Sequence, residues 1–177
     1  MLFAEDTSAE NSTPKSTLKN KIFGSIGYTC FGFSAGTVFI DNYDTGFGFG
    51  ARIKRPLLNP LLEFTTSGYL WGASTHNMDI TSIGIEESLT LKKTIRNNIS
   101  IYSGIIAGYY VTNERTEPIQ NNNSIIIENN NASFETYITS GVTYPFSKDR
   151  TLFSQVKYGL SQDNSELHIL IGMFFCK

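Results

Sequence analysis

From Lys21 onward the chain alternates apolar residues with polar or small ones in short runs, and roughly every 10 to 25 residues a polar or Gly/Pro/Asn-rich break interrupts the alternation. Period-two alternation is the signature of a strand with two unlike faces. The pattern predicts eight strands, at 21–31, 45–54, 61–72, 80–91, 98–110, 133–144, 151–160 and 166–175. Each is about 10 to 13 residues long, whereas soluble strands usually have five or six. That length suits a tilted membrane crossing of about 9 to 11 residues.

The two faces differ in kind. In the last run Leu167, Ile169, Ile171, Met173 and Phe175 share one face, opposite Glu166, His168, Leu170, Gly172 and Phe174. In 45–54, Phe47, Phe49, Ala51 and Ile53 oppose Gly46, Gly48, Gly50, Arg52 and Lys54. In 98–110, Ile99, Ile101, Ile105 and Tyr109 oppose Ser100, Tyr102, Gly104 and Gly108. Large apolar residues on one row and small or polar ones on the other suit a narrow barrel with its apolar face outward, towards lipid. The second row carries Arg52, Lys54, Glu63, Glu86, Glu135, Lys157 and Glu166, nearly balanced in sign. In lipid each would cost a few kcal/mol, so they are predicted to form a polar network in the lumen. Glu87 directly follows Glu86, so one of the two falls on the apolar row unless a bulge re-aims it.

The connections alternate in size. Breaks at 55–60, 92–97 and 145–150 are compact, whereas 32–44, 73–79 and 111–132 are predicted as loops on the opposite rim, with 161–165 a short fourth. Short turns on one side and longer loops on the other are the habit of outer-membrane barrels, whose long loops lie outside the cell. The Asn-rich 121–131 reads as a hairpin tip or a mobile loop. Aromatic residues gather towards the run ends, with Tyr28, Phe31, Tyr69, Trp71, Tyr109 and Tyr110 on the long-loop side. Phe64, Tyr144, Phe146, Phe153, Phe174 and Phe175 lie on the short-turn side, and together they suggest two interfacial girdles.

Composition narrows the field. Fourteen Lys and Arg against 16 Asp and Glu give a formal charge of −2, which supplies no basic field for nucleic acid. No stretch is apolar for the roughly 18 to 20 residues of a spanning helix, a test that a β-barrel evades by alternation. Met1-Leu2-Phe3-Ala4 resembles the end of a signal peptide, and residues 5–20 read as a disordered leader, so the barrel is assigned to 21–177. Cys30 and Cys176 have neither metal spacing nor a CxxC pair. With Cys30 at the far end of a rising 21–31 strand and Cys176 at the near end of a descending one, the two are predicted to stay apart.

The last strand, Glu166-Leu-His-Ile-Leu-Ile-Gly-Met-Phe-Phe175, resembles the C-terminal strand of bacterial outer-membrane barrels, where alternating apolar residues end on an aromatic. With eight strands the chain is similar to the small OmpA/OmpX-type barrels. The resemblance implies an all-β, antiparallel up-and-down eight-stranded transmembrane barrel in the bacterial outer membrane. It also implies outer-membrane lipids as surroundings, with Ile171, Met173 and Phe175 as the signal read by the barrel-assembly machinery. Cys176 and Lys177 after Phe175 depart from the usual terminus.

Candidate chemistry is sparse. His76 sits in Ser74-Thr75-His76-Asn77-Met78-Asp79, which has the residue types of a triad, but loop neighbours rarely make one. His168 near Ser165 invites comparison with lipid-A deacylases, yet their His-x-Ser spacing is broken by Leu170. No cofactor or metal site is predicted. The function that follows is structural or surface interaction through extracellular loops, without an open pore, since eight strands enclose only enough room for side chains. The competing readings are a lipid-modifying barrel enzyme and a soluble lipocalin-like barrel with an apolar interior.

Overall fold

A computed structural model describes residues 29–177 except for 42, 58, 60, 76–77, 96–97, 117–118, 121–122, 125 and 161–164. The predicted leader, 1–20, lies outside the described residues. Eight long strands form the wall: β1 (Cys30–Ile40), β2 (Gly46–Pro56), β3 (Leu62–Thr75), β4 (Met78–Thr94), β5 (Ser100–Thr116), β8 (Ile127–Pro145), β9 (Arg150–Gly159) and β10 (Glu166–Cys176). Between β5 and β8, two-residue strands β6 (Ile119–Gln120) and β7 (Asn123–Ser124) pair with each other. The long strands are antiparallel throughout and close in the order β1-β10-β9-β8-β5-β4-β3-β2.

Seven of the eight predicted runs coincide with strands, and the first does not. The first described strand is Cys30–Ile40, so residues 32–40, expected as loop, belong to the wall, and of the predicted 21–31 run the stretch 21–28 lies outside the described residues. The inward row of β1, Gly32, Ser34 and Gly36, has the composition of a turn, while Phe31, Phe33 and Phe39 point outward. Small inward residues are what a narrow lumen admits.

That shift overturns the cysteine expectation. Cys30 begins the ascending strand and Cys176 ends the descending one, so antiparallel pairing sets them opposite each other and they form a disulfide. The bond joins the first and last strands at the seam, leaving the closed order intact.

Both ends of the wall chain lie on one rim, here the near rim, together with the turns at 57–61, 95–99 and 146–149. These turns are made locally. Asn59 Oδ1 accepts the Leu61 N–H at 3.0 Å, and Asn98 adopts φ 65°, a left-handed conformation that Asn tolerates, within a loop closed by Ile95 N–H to Ile99 O. Ser147 Oγ donates to Asp149 Oδ1 at 2.6 Å, which holds that carboxyl below its usual range. The far rim carries the connections at 41–45, 76–77, 117–126 and 160–165. Strands β5 and β8 stay paired up to Thr116 and Ile127, so most of the predicted 111–132 loop is a raised two-stranded wall.

The outside of the barrel is apolar. Phe33, Phe49, Ile85, Ile105, Phe134 and Ile171 are all exposed on it, as are Ile101 and Ile169. Polar side chains, including Arg52, Glu86, Lys157 and His168, are instead buried in the lumen. This inversion of a soluble barrel is the physical signature of a lipid-facing wall, and it excludes the lipocalin-like arrangement. Glu87 breaks the apolar outward row in the middle of β4, away from the strand ends where Asp79 and Lys93 lie: with no bulge to turn it, it stays outward and accepts a hydrogen bond from Thr66 Oγ1 at 3.0 Å on the adjacent strand.

Candidate functional site

The lumen is filled by three stacked groups. At its centre Lys157 Nζ, fully buried, is paired with Glu86, which also accepts a hydrogen bond from Tyr110 Oη. The ammonium lies over the rings of Tyr69 at 4.0 Å and Tyr137 at 4.6 Å. A buried cation held by one carboxylate and aromatic faces is a favourable arrangement, provided that each partner stays in place. A β-carbon on Gly48 would run into the Tyr69 phenol, which explains why the inward row of β2 is glycine where Tyr69 crosses it.

Towards the near rim Arg52 Nε donates to Ser34 Oγ at 3.1 Å and Nη1 donates to Gln155 Oε1, while Gln155 Nε2 donates to Thr139 Oγ1 at 2.7 Å. Its guanidinium stacks 4.9 Å from the Phe153 ring. Below it Glu63 binds two cations, Lys54 at 3.3 Å and Lys92 at 3.0 Å.

Towards the far rim His168, fully buried, donates from Nε2 to Glu166 at 3.0 Å and accepts at Nδ1 from Tyr69 Oη at 3.3 Å. Tyr137 Oη donates to Glu135 and, at 3.0 Å, to Glu166. Above them a recess of about 150 Å³ is walled by Trp71, Glu114, Glu135, Tyr137 and Glu166, with Asn131 and Ser133 on its upper side. Near this mouth the Tyr43 phenol is held above its ordinary pKa, by burial first and the Glu114 charge second.

All seven charged residues assigned to the lumen from sequence therefore point inward, but they do not meet as a single network. Glu86 and Lys157 form one pair, Lys54 and Glu63 another at the near end, Arg52 bonds to neutral partners, and Glu135 and Glu166 share Tyr137. Lys92, which the pattern placed in a turn, is the third member of the near cluster. The girdle expectation needs correction too, because Tyr69, Trp71, Tyr110, Phe153 and Phe174 are buried inside the barrel. Phe31, expected on the long-loop side, lies near the Cys30 end of β1 beside Phe175, and Tyr28 lies outside the described residues. Strand parity carried the signal for the five buried aromatics: each shares its face with a charged or imidazole residue of the same strand, Tyr69 and Trp71 with Glu63, Tyr110 with Glu114, Phe153 with Lys157 and Phe174 with His168.

Neither candidate catalytic cluster assembles among the described residues. His76 lies outside them. The Ser165 hydroxyl approaches Tyr158 Oη at 3.4 Å on the outer face, whereas His168 turns into the lumen.

Charge is sorted along the barrel axis. Among the described residues the far end carries Asp41, Asp44, Asp79, Glu114, Glu128, Glu135 and Glu166, with Arg115 set in register between Asp79 and Glu128. The near end carries Lys54, Arg55, Lys92, Lys93, Lys148, Arg150 and Lys177 against Glu63 and Asp149. An overall charge close to zero thus conceals an acidic far mouth and a basic near rim.

No family model matches the sequence, and no curated protein matches it. The fold is nonetheless shared with small eight-stranded outer-membrane barrels of known structure. Neisserial surface protein A (NspA) superimposes with a TM-score of 0.64 at 11% identity, over 84% of this chain and 97% of that one. Ail of Yersinia pestis gives a TM-score of 0.57 at 12% identity, over 84% and 96%. OprG of Pseudomonas aeruginosa gives 0.50 at 9% identity, over 85% and 94%.

Proposed function

We propose that this chain, a closed eight-stranded barrel of the outer-membrane type, is an integral bacterial outer-membrane protein with a structural or surface-interaction role exercised from its far rim. The observation that carries the reading is the inversion of the barrel: apolar outside, charged inside, and plugged by Tyr69, Tyr110, Tyr137, Lys157 and His168 with two per cent exposure or less. An interior filled in this way offers no conduit, which leaves stability and recognition as what the molecule supplies.

The far rim is read as the extracellular one because it carries the longest connection, 117–126, above the extended β5 and β8, and because both ends of the wall lie on the other rim; the expected 73–79 loop does not contribute, since strands β3 and β4 leave only 76–77 between them. The raised β5–β8 wall is then the part that stands furthest from the membrane and the natural platform for a partner. Its acidity favours cationic partners. The Ail structure in complex with the heparin analogue sucrose octasulfate shows a related fold engaging a polyanion. The acidic mouth here would repel such a ligand, so fold similarity does not transfer that partner.

During biogenesis Ile171, Met173 and Phe175 serve as the signal for the assembly machinery. The support is their common outward row on β10, the strand that closes the seam with β1. The reading is non-enzymatic.

Fractionation and surface proteolysis test this. The protein should partition with the detergent-requiring outer membrane and migrate faster on a gel when unheated. In intact cells proteinase K should cut in the connection between Thr116 and Ile127, whose sequence offers Ile119 and Ile126, and trypsin should reach the basic near rim only after permeabilisation. Tryptic cleavage at Lys148 or Arg150 in intact cells would reverse the topology, and recovery in the soluble fraction would reject the reading.

A further inference from the structure

We propose that a hollow in the outer wall near the near rim is a binding site for one anionic phospholipid, whose phosphate meets Lys93 and whose ester carbonyls meet serine hydroxyls. Across β4, β5, β8 and β9 the wall opens outward into a groove of about 860 Å³, lined by Leu91, Ile101, Val142 and Val156 together with Ser103, Ser140 and Ser154. Small-molecule sites usually measure about 300 to 1,000 Å³, so the groove is large enough to hold a ligand. The three serines account for the hollow. Each stands on an outward row between two large apolar residues: Ser103 between Ile101 and Ile105, Ser140 between Ile138 and Val142, Ser154 between Leu152 and Val156. Ser103 pairs directly with Ser140, and Ser154 pairs with Val142 on the same strand as Ser140, so the small positions adjoin one another across β5, β8 and β9.

Two features select the occupant. The first is the hydroxyls: all three serines are exposed on the lipid face, and none donates a hydrogen bond among the described residues. Hydrocarbon offers them no acceptor, so an oxygen brought by the ligand is favourable there. The second is charge. Lys93 lines the same groove, exposed at the near end of the outward row of β4, and forms no ion pair among the described residues, whereas its neighbour Lys92 turns inward to Glu63. Lys93 is in register with Ile101, Val142 and Ser154, while Ser103 and Ser140 stand one outward step further from the rim, about 7 Å along the strand at about 3.3 Å per residue. A phospholipid presents its groups in the same order, with the phosphate outermost, the ester carbonyls next and the acyl chains deepest. A rim lysine by itself only snorkels; the hydroxyl-lined hollow above it makes a site. Arg150, loosely paired with Asp149 at 3.9 Å, is exposed at the near end of the outward row of β9 and flanks the groove on its other side, which favours a lipid with net negative charge over a zwitterionic one. A second outward hollow, of about 700 Å³ and walled by Phe33, Phe49, Leu70 and Ile85, is lined by no charged side chain and offers a headgroup nothing.

The inference rests on the outer-membrane reading only in naming the leaflet, the periplasmic one, that supplies the lipid; retention of the lipid is a property of the folded barrel. It is therefore tested on purified, folded protein in a maltoside detergent, mixed with equal amounts of dioleoylphosphatidylglycerol and dioleoylphosphatidylcholine and read by native mass spectrometry. The phosphatidylglycerol should be retained in about fivefold preference, the worth of one lysine close to an anionic lipid. Lys93→Gln should bring the two lipids to equal retention. Arg55→Gln removes an exposed near-rim cation of β2, outside the groove, and should leave the preference as it was. Ser140→Leu fills the hollow without altering a charge and should lose the retained molecule. The heat-modifiable gel shift shows that each variant has folded, and if one has not, the comparison of the two lipids on the unaltered protein decides alone. Equal retention of the two lipids by the unaltered protein, a preference lost as fully in Arg55→Gln as in Lys93→Gln, or undiminished retention by folded Ser140→Leu would overturn the inference. Lipid would then merely coat an apolar wall, and the outer-membrane assignment, which fractionation tests, would stand.

Discussion

Removing the central cation of the lumen should unfold much of what the barrel gains from its interior. Lys157→Met keeps the length and most of the volume of the side chain and deletes only the ammonium. Glu86, 1% exposed, then keeps the Tyr110 hydroxyl and loses the charge that balances it. Breaking a buried pair in this way costs about 3 to 5 kcal/mol, because the orphaned carboxylate must stay desolvated or take up a proton. The lost contacts of the ammonium with Tyr69 and Tyr137 fall within that figure, at about 0.5 to 2 kcal/mol. The double variant Glu86→Met/Lys157→Met removes both charges, and its cost should fall back to within about 2 kcal/mol of the unaltered protein, since buried pairs are often replaceable by apolar residues. Urea unfolding in phospholipid vesicles, followed by Trp71 emission, supplies the four corners of the cycle. A coupling energy below about 1 kcal/mol, or a single variant as stable as the parent, would refute the claim that this pair is desolvated and mutually dependent.

Ile169→Arg, on the outward row of β10, should cost roughly 2 to 4 kcal/mol if lipid surrounds it near the midplane; an unchanged urea midpoint would mean that this face is wet. The seam disulfide spans 146 residues of sequence, for which loop-closure entropy gives an upper figure of about 5 kcal/mol. Cys30→Ser/Cys176→Ser should therefore lower the unfolding midpoint, while mass spectrometry of the unreduced parent should find no free thiol. Two free thiols in oxidised, folded protein would contradict the pairing at the near rim.

What the sequence determined by itself is everything governed by parity and length. Alternation over about ten residues in seven runs placed the strands, their inward and outward faces, the closed eight-strand class and the inward direction of Arg52, Glu86 and Lys157, because the two-residue period of a strand is a local property. Parity also held the inward direction of Tyr69 and Trp71, which the concentration of aromatics near the run ends obscured. Where the local signal was ambiguous the reading went wrong: the Gly32-Ser34-Gly36 row looks like a turn in sequence and is a strand only because it faces a crowded lumen. Everything that depends on which residues meet across the barrel belonged to the tertiary structure. Cys30 and Cys176, 146 positions apart, meet because closure sets the first strand against the last, and a misplaced β1 was enough to hide it. The division of the lumen charges into separate groups is likewise set by register between strands, a quantity fixed by pairing across the wall rather than by any single strand's pattern.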